Sequence, residues 1–295
     1  IDLLAYHFQH SENLPKKREY LLKAGEAAQA DYANTAAISY YRQVLPLLPE
    51  EQQVEVMLRL GEVLELVGEW KDAESMDRQA EALATHLQDA PGQARAQRAV
   101  GWLLRKQGNY AEAETWLVRA REGYEKLGDS AGISHVLADI GEIHRLQGKY
   151  TEARAYYEQS PTLAASIADL RLRQKARAHA LKGAGTVATW QGDYPTAREL
   201  NQESLALRRE LGDTPGVATL LNNLGIIARF QSDLDGAWQM NEESLALFRA
   251  MGDRWAVGQL LNNPACVASV QKEYAEARLL LLESLMVRPQ LGDKA

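Results

Sequence analysis

Two stretches of the chain carry positive and aromatic side chains without an acidic neighbour. Neither Ala90–Ala111 nor Leu170–Gly192 contains an aspartate or a glutamate. The first stretch holds four cations and one indole, at Arg95, Arg98, Trp102, Arg105 and Lys106. Guanidinium groups pair with carboxylates through parallel hydrogen bonds, and an indole covers apolar side chains. This chemistry suits the recognition of an acidic peptide segment.

Other reactive residue types give weaker signals. His7 and His10 could share a helical face as two metal ligands, but the sequence offers no evident third ligand, so we interpret them as surface histidines. Cys266 has no nearby base and is interpreted as a packed thiol. The cations of Arg171–Arg177 could touch nucleic acid, but a solvated helix face explains them better. We predict no enzyme activity, no cofactor and no metal.

The composition of the chain indicates which kinds of partner and which cellular compartment are compatible with it. The formal net charge of -7 argues against a nucleic-acid binder that works through bulk charge. A single cysteine rules out a disulfide framework and fits a reducing compartment, so a cytoplasmic location is predicted. No apolar run approaches the roughly 18 residues that span a bilayer, and no signal-peptide pattern opens the chain. We therefore predict neither a nucleic-acid nor a membrane partner.

The elements that position these residues come from an internal repeat. A small residue recurs at intervals of 36, 40, 40, 44, 40 and 40 residues, at Gly25, Gly61, Gly101, Gly141, Gly185, Gly225 and Ala265. Alanine follows twelve positions later in every unit, at Ala37, Ala73, Ala113, Ala153, Ala197, Ala237 and Ala277. Self-similarity at such a period is typical of a solenoid, in which each unit buries its apolar face against its neighbours.

Each unit is predicted to fold as two helices, A and B. Apolar residues around the repeat glycine fall at helical spacing, and Gly108 and Gly192 can end helix A in the left-handed conformation. Asn109 and Asp193 can cap helix B. An aspartate precedes most A helices as an N-cap candidate, at Asp89, Asp129, Asp169, Asp213 and Asp253. The small residues are expected where two helices cross closely.

Three positions depart from the repeat. Four extra residues between Asp169 and Gly185 predict a helix A that is longer by about one turn. Pro264 stands inside another helix A, and Pro161 stands inside a helix B. Because proline lacks a backbone N–H and clashes with the preceding turn, we expect a local irregularity at each proline.

A Leu-Gly pair followed by Gly-x-Tyr-x-x-Ala resembles the tetratricopeptide repeat, for example in Leu60–Ala73 and Ile140–Ala153. The resemblance covers residues 15–291. HEAT repeats share the length but lack this turn motif. The 40-residue period looks like the long variant found in signalling adaptors and bacterial regulators. The resemblance implies an all-α, right-handed α-solenoid of antiparallel helix pairs, with a leading helix and junction at 1–14 and one continuous array of about seven repeats at 15–295.

The opening segments Leu3–Phe8 and Leu21–Ala28 are similar to the junction that follows the ATPase module in bacterial multidomain cyclase and STAND-ATPase signalling proteins. The chain carries no phosphate-binding loop of its own. Because it also starts at Ile1 and not at methionine, we interpret it as a piece of a larger protein.

The resemblance also implies where a ligand would bind. Helix A lines the concave groove of such arrays, and the groove positions lie six and three before the repeat glycine and one, four and five after it. Besides the five residues of 90–111 named above, the selected candidates are His135, Arg145, His179, Lys182, Trp190, Asn222, Arg229 and Asn262. Asparagines there could hydrogen-bond a peptide backbone. For any single residue, a solvated helix face remains the alternative.

Two functions follow from this sequence. The first is a protein-interaction scaffold or sensor module of a larger signalling protein, binding a protein or acidic peptide through the groove. The alternative is a small-ligand effector-sensing domain of a transcriptional or STAND-type regulator. Binding through arginines weakens as salt rises, whereas a neutral effector is nearly indifferent to salt. A further hypothesis is self-association through the uncapped C-terminal end, where Leu279, Leu281 and Leu282 are expected to be exposed.

Overall fold

A computed structural model describes residues 2–287, with the side chains of all of these except 2, 9 and 160–166. In that range the protein consists of α-helices joined by short turns, with one 3-10 turn at Leu45–Leu47 and no β-strand. A leading helix, α1 (Asp2–Gln9), is followed by seven helix pairs. The predicted all-α architecture of helix pairs is confirmed.

The A helices of the pairs carry the small residue of the repeat, which is glycine in the first six and Ala265 in the seventh. They are α2 (Leu14–Ala30), α4 (Glu50–Val67), α6 (Ala90–Lys106), α8 (Ser130–Leu146), α10 (Leu170–Trp190), α12 (Thr214–Phe230) and the split helix α14 (Arg254–Leu260) with α15 (Asn262–Val270). The B helices are α3 (Asn34–Val44), α5 (Trp70–His86), α7 (Tyr110–Leu127), α9 (Tyr150–Ser166), α11 (Tyr194–Leu211), α13 (Leu234–Met251) and α16 (Tyr274–Val287).

Capping residues set the helix boundaries. The predicted N-caps are confirmed where the side-chain oxygen accepts a backbone N–H of the first turn, at Asp89, Asp129, Asp169, Asp193 and Asp213. Asn109 instead donates its side-chain amide to Gln107. Gly108 and Gly192 have φ of +80° and +79°, so glycine is needed there to end helix A.

The repeated glycine and alanine mark the crossing of the two helices in a pair. A Cβ atom added at Gly101 would lie 2.7 Å from Cγ of Leu117 and 3.1 Å from the carbonyl oxygen of Ala113. The same addition at Gly225 would lie 3.2 Å from the carbonyl oxygen of Ala237. Helix B thus places the backbone of its alanine directly against the glycine of helix A, which explains why both positions stay small.

The departures from the repeat have different outcomes. Helix α10 has 21 residues whereas α6, α8 and α12 have 17, as the four extra residues predict. The A helix that contains Pro264 is interrupted at Leu261, which confirms the irregularity expected there, because proline cannot donate to the Leu260 carbonyl. The irregularity expected at Pro161 is wrong, since α9 runs through that residue without a break.

The chain divides into two compact units. Unit 1 comprises Ile1–Gly123 with Met251–Asp253, and unit 2 comprises Tyr124–Ala250 with Arg254–Ala295. Each has its own apolar core: Val54, Leu58 and Ala80 belong to a cluster in unit 1, and Leu205, Leu220 and Ile227 to a cluster in unit 2. The single continuous array over 15–295 stays a prediction. None of the helices described is long and apolar enough to cross a bilayer.

Candidate functional site

In unit 1, Arg95 pairs with a glutamate of the preceding repeat. Nη1 of Arg95 lies 2.5 Å from Oε2 of Glu55, and both side chains are about half exposed. Burial acts to raise the pKa of Glu55, but hydrogen bonds from Arg95 and Arg59 outweigh it and hold the pKa below its ordinary value. A carboxylate of the protein itself therefore already neutralises Arg95.

At the other end of α6, the charge of Lys106 is neutralised in the same way, by a glutamate of the preceding repeat. Nζ of Lys106 lies 2.5 Å from Oε1 of Glu65, and the two side chains are only 6% and 16% exposed. The indole Nε1 of Trp102 donates to the same oxygen at 3.1 Å, and Cζ of Arg105 lies 4.2 Å from the Trp102 ring centroid. Arg98, between the two ends, is partly buried. Ligand binding by these five residues stays a prediction.

Unit 1 also contains an acidic pocket of about 400 Å³, lined by Gln29, Ala30, Tyr32, Glu62, Glu65, Leu66 and Trp102. Gln29 donates to Glu62 at 3.1 Å and accepts from the Tyr41 hydroxyl at 2.6 Å. Burial raises the pKa of Glu62. Asp77, on which the charges of Glu65 and Glu62 also act, is 5% exposed, and burial raises its pKa well above the ordinary value. At two carboxyl groups of unit 1, Glu62 and Asp77, burial therefore disfavours the charged form.

Unit 2 contains a larger pocket of opposite character, of about 450 Å³, which we call the basic pocket. It brings together five of the predicted site residues: Arg145, Lys182, Trp190, Asn222 and Arg229. The remaining lining residues are Glu142, Thr186, Thr189, Tyr194, Thr219, Asn223, Ile226, Phe230 and Asn263. Three cations thus face one carboxylate at this site.

Glu142 holds the first of these cations, Arg145. Nε of Arg145 donates to Oε2 of Glu142 at 2.8 Å, and Nη2 donates to Oε1 at 2.7 Å. The Tyr157 hydroxyl donates to the same carboxylate at 3.1 Å. Burial acts to lower the pKa of Arg145, but the bidentate pair with Glu142 outweighs it and the pKa is raised. This ion pair gives one wall of the basic pocket a fixed shape.

Arg229 lies in the same pocket with its charge uncompensated. Among the described residues its guanidinium has no ion pair or hydrogen bond, and its Cζ lies 4.6 Å from the Phe230 ring centroid. Asn222 accepts from Nδ2 of Asn263 at 2.6 Å, while its own Nδ2 has no partner in 2–287. The pocket therefore presents hydrogen-bond donors that the protein does not satisfy.

The remaining predicted residues lie elsewhere. The rings of His135 and His179 pack edge to face with centroids 5.3 Å apart, and neither histidine lines the basic pocket. Asn262 does not line it either, whereas its neighbour Asn263 does. Across residues 2–287, no group of three or more histidine, cysteine, aspartate or glutamate side chains is arranged to hold a metal ion.

Sequence reasoning missed several residues of the basic pocket for two reasons. The groove register does include Thr186, Thr189, Thr219 and Ile226, but choosing only charged, aromatic or amide side chains left them out. Asn223 and Asn263 stand two residues before the repeat position, where the register placed no ligand contact. Their recurrence at one place in successive repeats is the signal that could have found them.

Comparison with known proteins agrees with this architecture. The tetratricopeptide repeat family model matches residues 52–126, 103–165 and 176–250, which together make up more than half of the chain. A search of curated proteins found no match.

Solved structures share the fold at low identity. The Rap conjugation gene regulator of plasmid pLS20, in complex with the Phr* peptide, is 16% identical with a TM-score of 0.76, over 96% of this chain and 76% of that one. Aspartyl phosphate phosphatase F from Bacillus subtilis is 13% identical with a TM-score of 0.70, over 100% and 77%.

A STAND signal-transduction ATPase with a tetratricopeptide repeat sensor, from Pyrococcus horikoshii, is 15% identical with a TM-score of 0.54, over 94% of this chain and 42% of that one. Identities this low establish the fold alone, and that fold is the predicted TPR-like α-solenoid. The repeat register, the helix pairs and the family match lead to one conclusion: the chain belongs to the tetratricopeptide repeat family.

Proposed function

We propose that this chain is a protein-interaction module that binds an extended peptide segment in the basic pocket of unit 2. The observation that carries the proposal is a pair of donors without a partner among residues 2–287, the Arg229 guanidinium and the Asn222 amide, next to the exposed rings of Trp190 and Phe230. An extended peptide supplies what these groups lack, since it offers a carbonyl acceptor at every residue.

The charge of the pocket supports a binding role. With three cations against one carboxylate, the pocket favours an anionic ligand although the whole chain carries a net charge of -7. Among the described residues that line it there is no histidine or cysteine, and its glutamate pairs with Arg145. A structural neighbour, the Rap regulator of pLS20, was solved with a bound peptide, and that precedent on the same fold supports a peptide as the ligand.

The biological setting that we propose is the sensor arm of a larger signalling protein in the cytoplasm. The STAND ATPase with a repeat sensor supports this placement, because a similar array there is one part of a longer chain. In such an arrangement the array would recognise the partner, and any catalytic step would belong to another domain.

Selection from a random peptide library displayed on phage tests the proposal. We expect the full chain to enrich peptides that bind in the micromolar range, and Asn222→Ala to weaken them by about tenfold, because the truncation removes a direct backbone contact. Asn262→Ala, on an amide outside the basic pocket, is the matched control and should leave the affinity unchanged. Failure to enrich any peptide, or equal binding to wild type and Asn222→Ala, would contradict the proposal.

A further inference from the structure

Two stacked aromatic pairs border the basic pocket. The rings of Tyr150 and Trp190 lie 5.8 Å apart with an interplanar angle of 16°. Those of Tyr194 and Phe230 lie 5.2 Å apart at 10°. Trp190 is 55% exposed and Phe230 is 46% exposed, which is unusual for side chains of this size. The pocket thus offers two large aromatic surfaces to a ligand.

The two pairs arise from the same register in successive repeats. Trp190 and Phe230 each stand five residues after a repeat glycine, and their partners Tyr150 and Tyr194 each begin the preceding helix B. Stacking against a tyrosine fixed at the start of a helix restricts how each exposed ring can turn. The aromatic surfaces are therefore held in place before a ligand arrives, which lowers the entropy cost of binding.

Each exposed ring has an arginine over it, but only one of the two arginines is paired with a carboxylate. Cζ of Arg145 lies 5.8 Å from the Trp190 ring centroid, and its charge is compensated by the bidentate pair with Glu142. Cζ of Arg229 lies 4.6 Å from the Phe230 ring centroid, and no carboxylate of the described residues pairs with it. The site for an incoming carboxylate is therefore next to Phe230.

Resting on the proposed function, we propose that the basic pocket selects a peptide in which an acidic residue adjoins a large apolar or aromatic residue. Arg229 pairs with the ligand carboxylate, and the exposed part of the Trp190 ring covers the neighbouring side chain. Arg145 is a positioning residue, which holds Trp190 through its own fixed ion pair with Glu142. The pairing of charge with an adjacent apolar surface gives specificity that neither group supplies alone.

Fluorescence anisotropy with defined peptides tests this selectivity. The probe is the labelled, C-terminally amidated pentapeptide Gly-Glu-Phe-Gly-Ser, compared with one analogue that has Gln for Glu and another that has Ala for Phe. We expect each replacement to weaken binding to wild type, by about tenfold for Gln and about threefold for Ala. Raising the salt concentration should weaken only the peptides that contain Glu.

Protein variants then assign the contacts. Arg229→Gln should bind the Glu and Gln peptides equally, and Trp190→Ala should narrow the difference between the Phe and Ala peptides. The double variant Glu142→Gln, Arg145→Gln, which removes the ion pair without changing the charge of the pocket, should weaken the Glu and Gln peptides by the same factor. Arg209→Gln is the matched control, since Arg209 is an exposed arginine that pairs with Glu243 outside the pocket. Circular dichroism and thermal melting establish that each variant is folded.

Three results would overturn the inference. One is equal binding of the Glu and Gln peptides to wild type, including no binding of either. Another is a preference for Glu that persists in Arg229→Gln. The third is displacement of the peptide by a five-residue thymidine oligonucleotide at lower concentration than by unlabelled peptide, which would assign the aromatic surfaces to single-stranded nucleic acid. If library peptides bind in the pocket but lack the acidic-aromatic pair, the proposed function survives and this selectivity alone fails.

Discussion

Unit 1 and unit 2 carry similar basic side chains on their A helices, but they use them differently. In unit 1, Arg95 reaches Glu55 and Lys106 reaches Glu65, so each cation pairs with a carboxylate of the preceding repeat. In unit 2, Arg229 finds no such carboxylate among the described residues. Arg229 lies on α12, and the A helix of the preceding repeat is α10. Helix α10 has threonines at 186 and 189, where α4 has glutamates at 62 and 65.

The difference shows that the availability of a charge in a repeat array depends on the neighbouring repeat. The stretch 90–111 looks free of acid along the chain, yet α4 supplies glutamates from 40 residues away. Arg95 and Lys106 of unit 1 are therefore already paired within the protein, whereas Arg229 of the basic pocket has no carboxylate partner among the described residues. This contrast predicts opposite consequences for equivalent substitutions in the two units.

The largest effect is expected for Lys106→Met. The substitution keeps the apolar stem but leaves the buried Glu65 carboxylate without its cation, which typically costs about 3 kcal/mol. Hydrogen exchange measured by mass spectrometry should show amides of α4 and α6 exchanging up to about a hundredfold faster. Peptide affinity in the basic pocket should stay unchanged. A loss of peptide binding without faster exchange would assign Lys106 to the ligand site.

A second substitution tests whether the unpaired charge of Glu65 causes the destabilisation expected in Lys106→Met. In the double variant Lys106→Met, Glu65→Gln, the buried group is neutral and only the hydrogen bond from Trp102 needs an acceptor. We expect the double variant to recover more than half of the lost protection. If it is no more stable than Lys106→Met, lost packing explains the destabilisation and the ion pair does not.

The next effect concerns Asp77, which occupies the register position held by Asn201 and Asn241 in unit 2. Burial first, and then the charge of Glu65, raises the pKa of Asp77 well above its ordinary value of 3.8. The folded state therefore binds this proton more tightly than the unfolded state. The free energy of unfolding consequently falls as pH rises from 3.8 through the raised pKa.

Asp77→Asn introduces the residue that unit 2 has at this position and should remove the loss of stability that the ionised carboxylate causes at neutral pH. We expect the free energy of unfolding to increase by about 1–2 kcal/mol at pH 7 and to depend less on pH. Denaturant titrations at pH 5, 6 and 7 measure both quantities. Asp72→Asn, at an exposed carboxylate paired with Arg42, is the control and should change stability by less than about 0.5 kcal/mol. Equal pH slopes for wild type and Asp77→Asn would contradict the assignment.

These cases show what the sequence could predict. Helix pairs, caps such as Asp129, and the close approach at Gly101 follow from local patterns, because each depends on residues within one repeat. The pairing of Lys106 with Glu65 depends on side-chain reach between repeats, which no periodicity encodes. The basic pocket was predictable in part: its charged residues follow from the register, whereas Asn263 stands outside the groove positions and reaches the pocket through a contact with Asn222 of the preceding repeat.

Charge reversal compares the two units directly. Arg229→Glu should weaken selected peptides by at least about tenfold, since it replaces the uncompensated cation with a repelling carboxylate. Arg95→Glu should weaken them less than about twofold, because Arg95 already pairs with Glu55 in unit 1. Isothermal titration calorimetry with one peptide from the library measures both. Equal losses of peptide affinity in the two variants would contradict the difference that we propose between Arg95 and Arg229.

The smallest effect is expected at Pro264, where α12 has Leu224 at the same register position and runs without a break. Pro264→Leu restores a backbone N–H that can donate to Leu260, so α14 and α15 should join into one helix. The Asn263 amide would then take the position that Asn223 has in the unbroken α12 and lose its hydrogen bond to Asn222, so we expect peptide affinity to fall by about threefold. Calorimetry measures the affinity, and a small gain in helical circular dichroism checks the joining. A joined helix with unchanged affinity would show that Asn263 lines the basic pocket without contributing to binding.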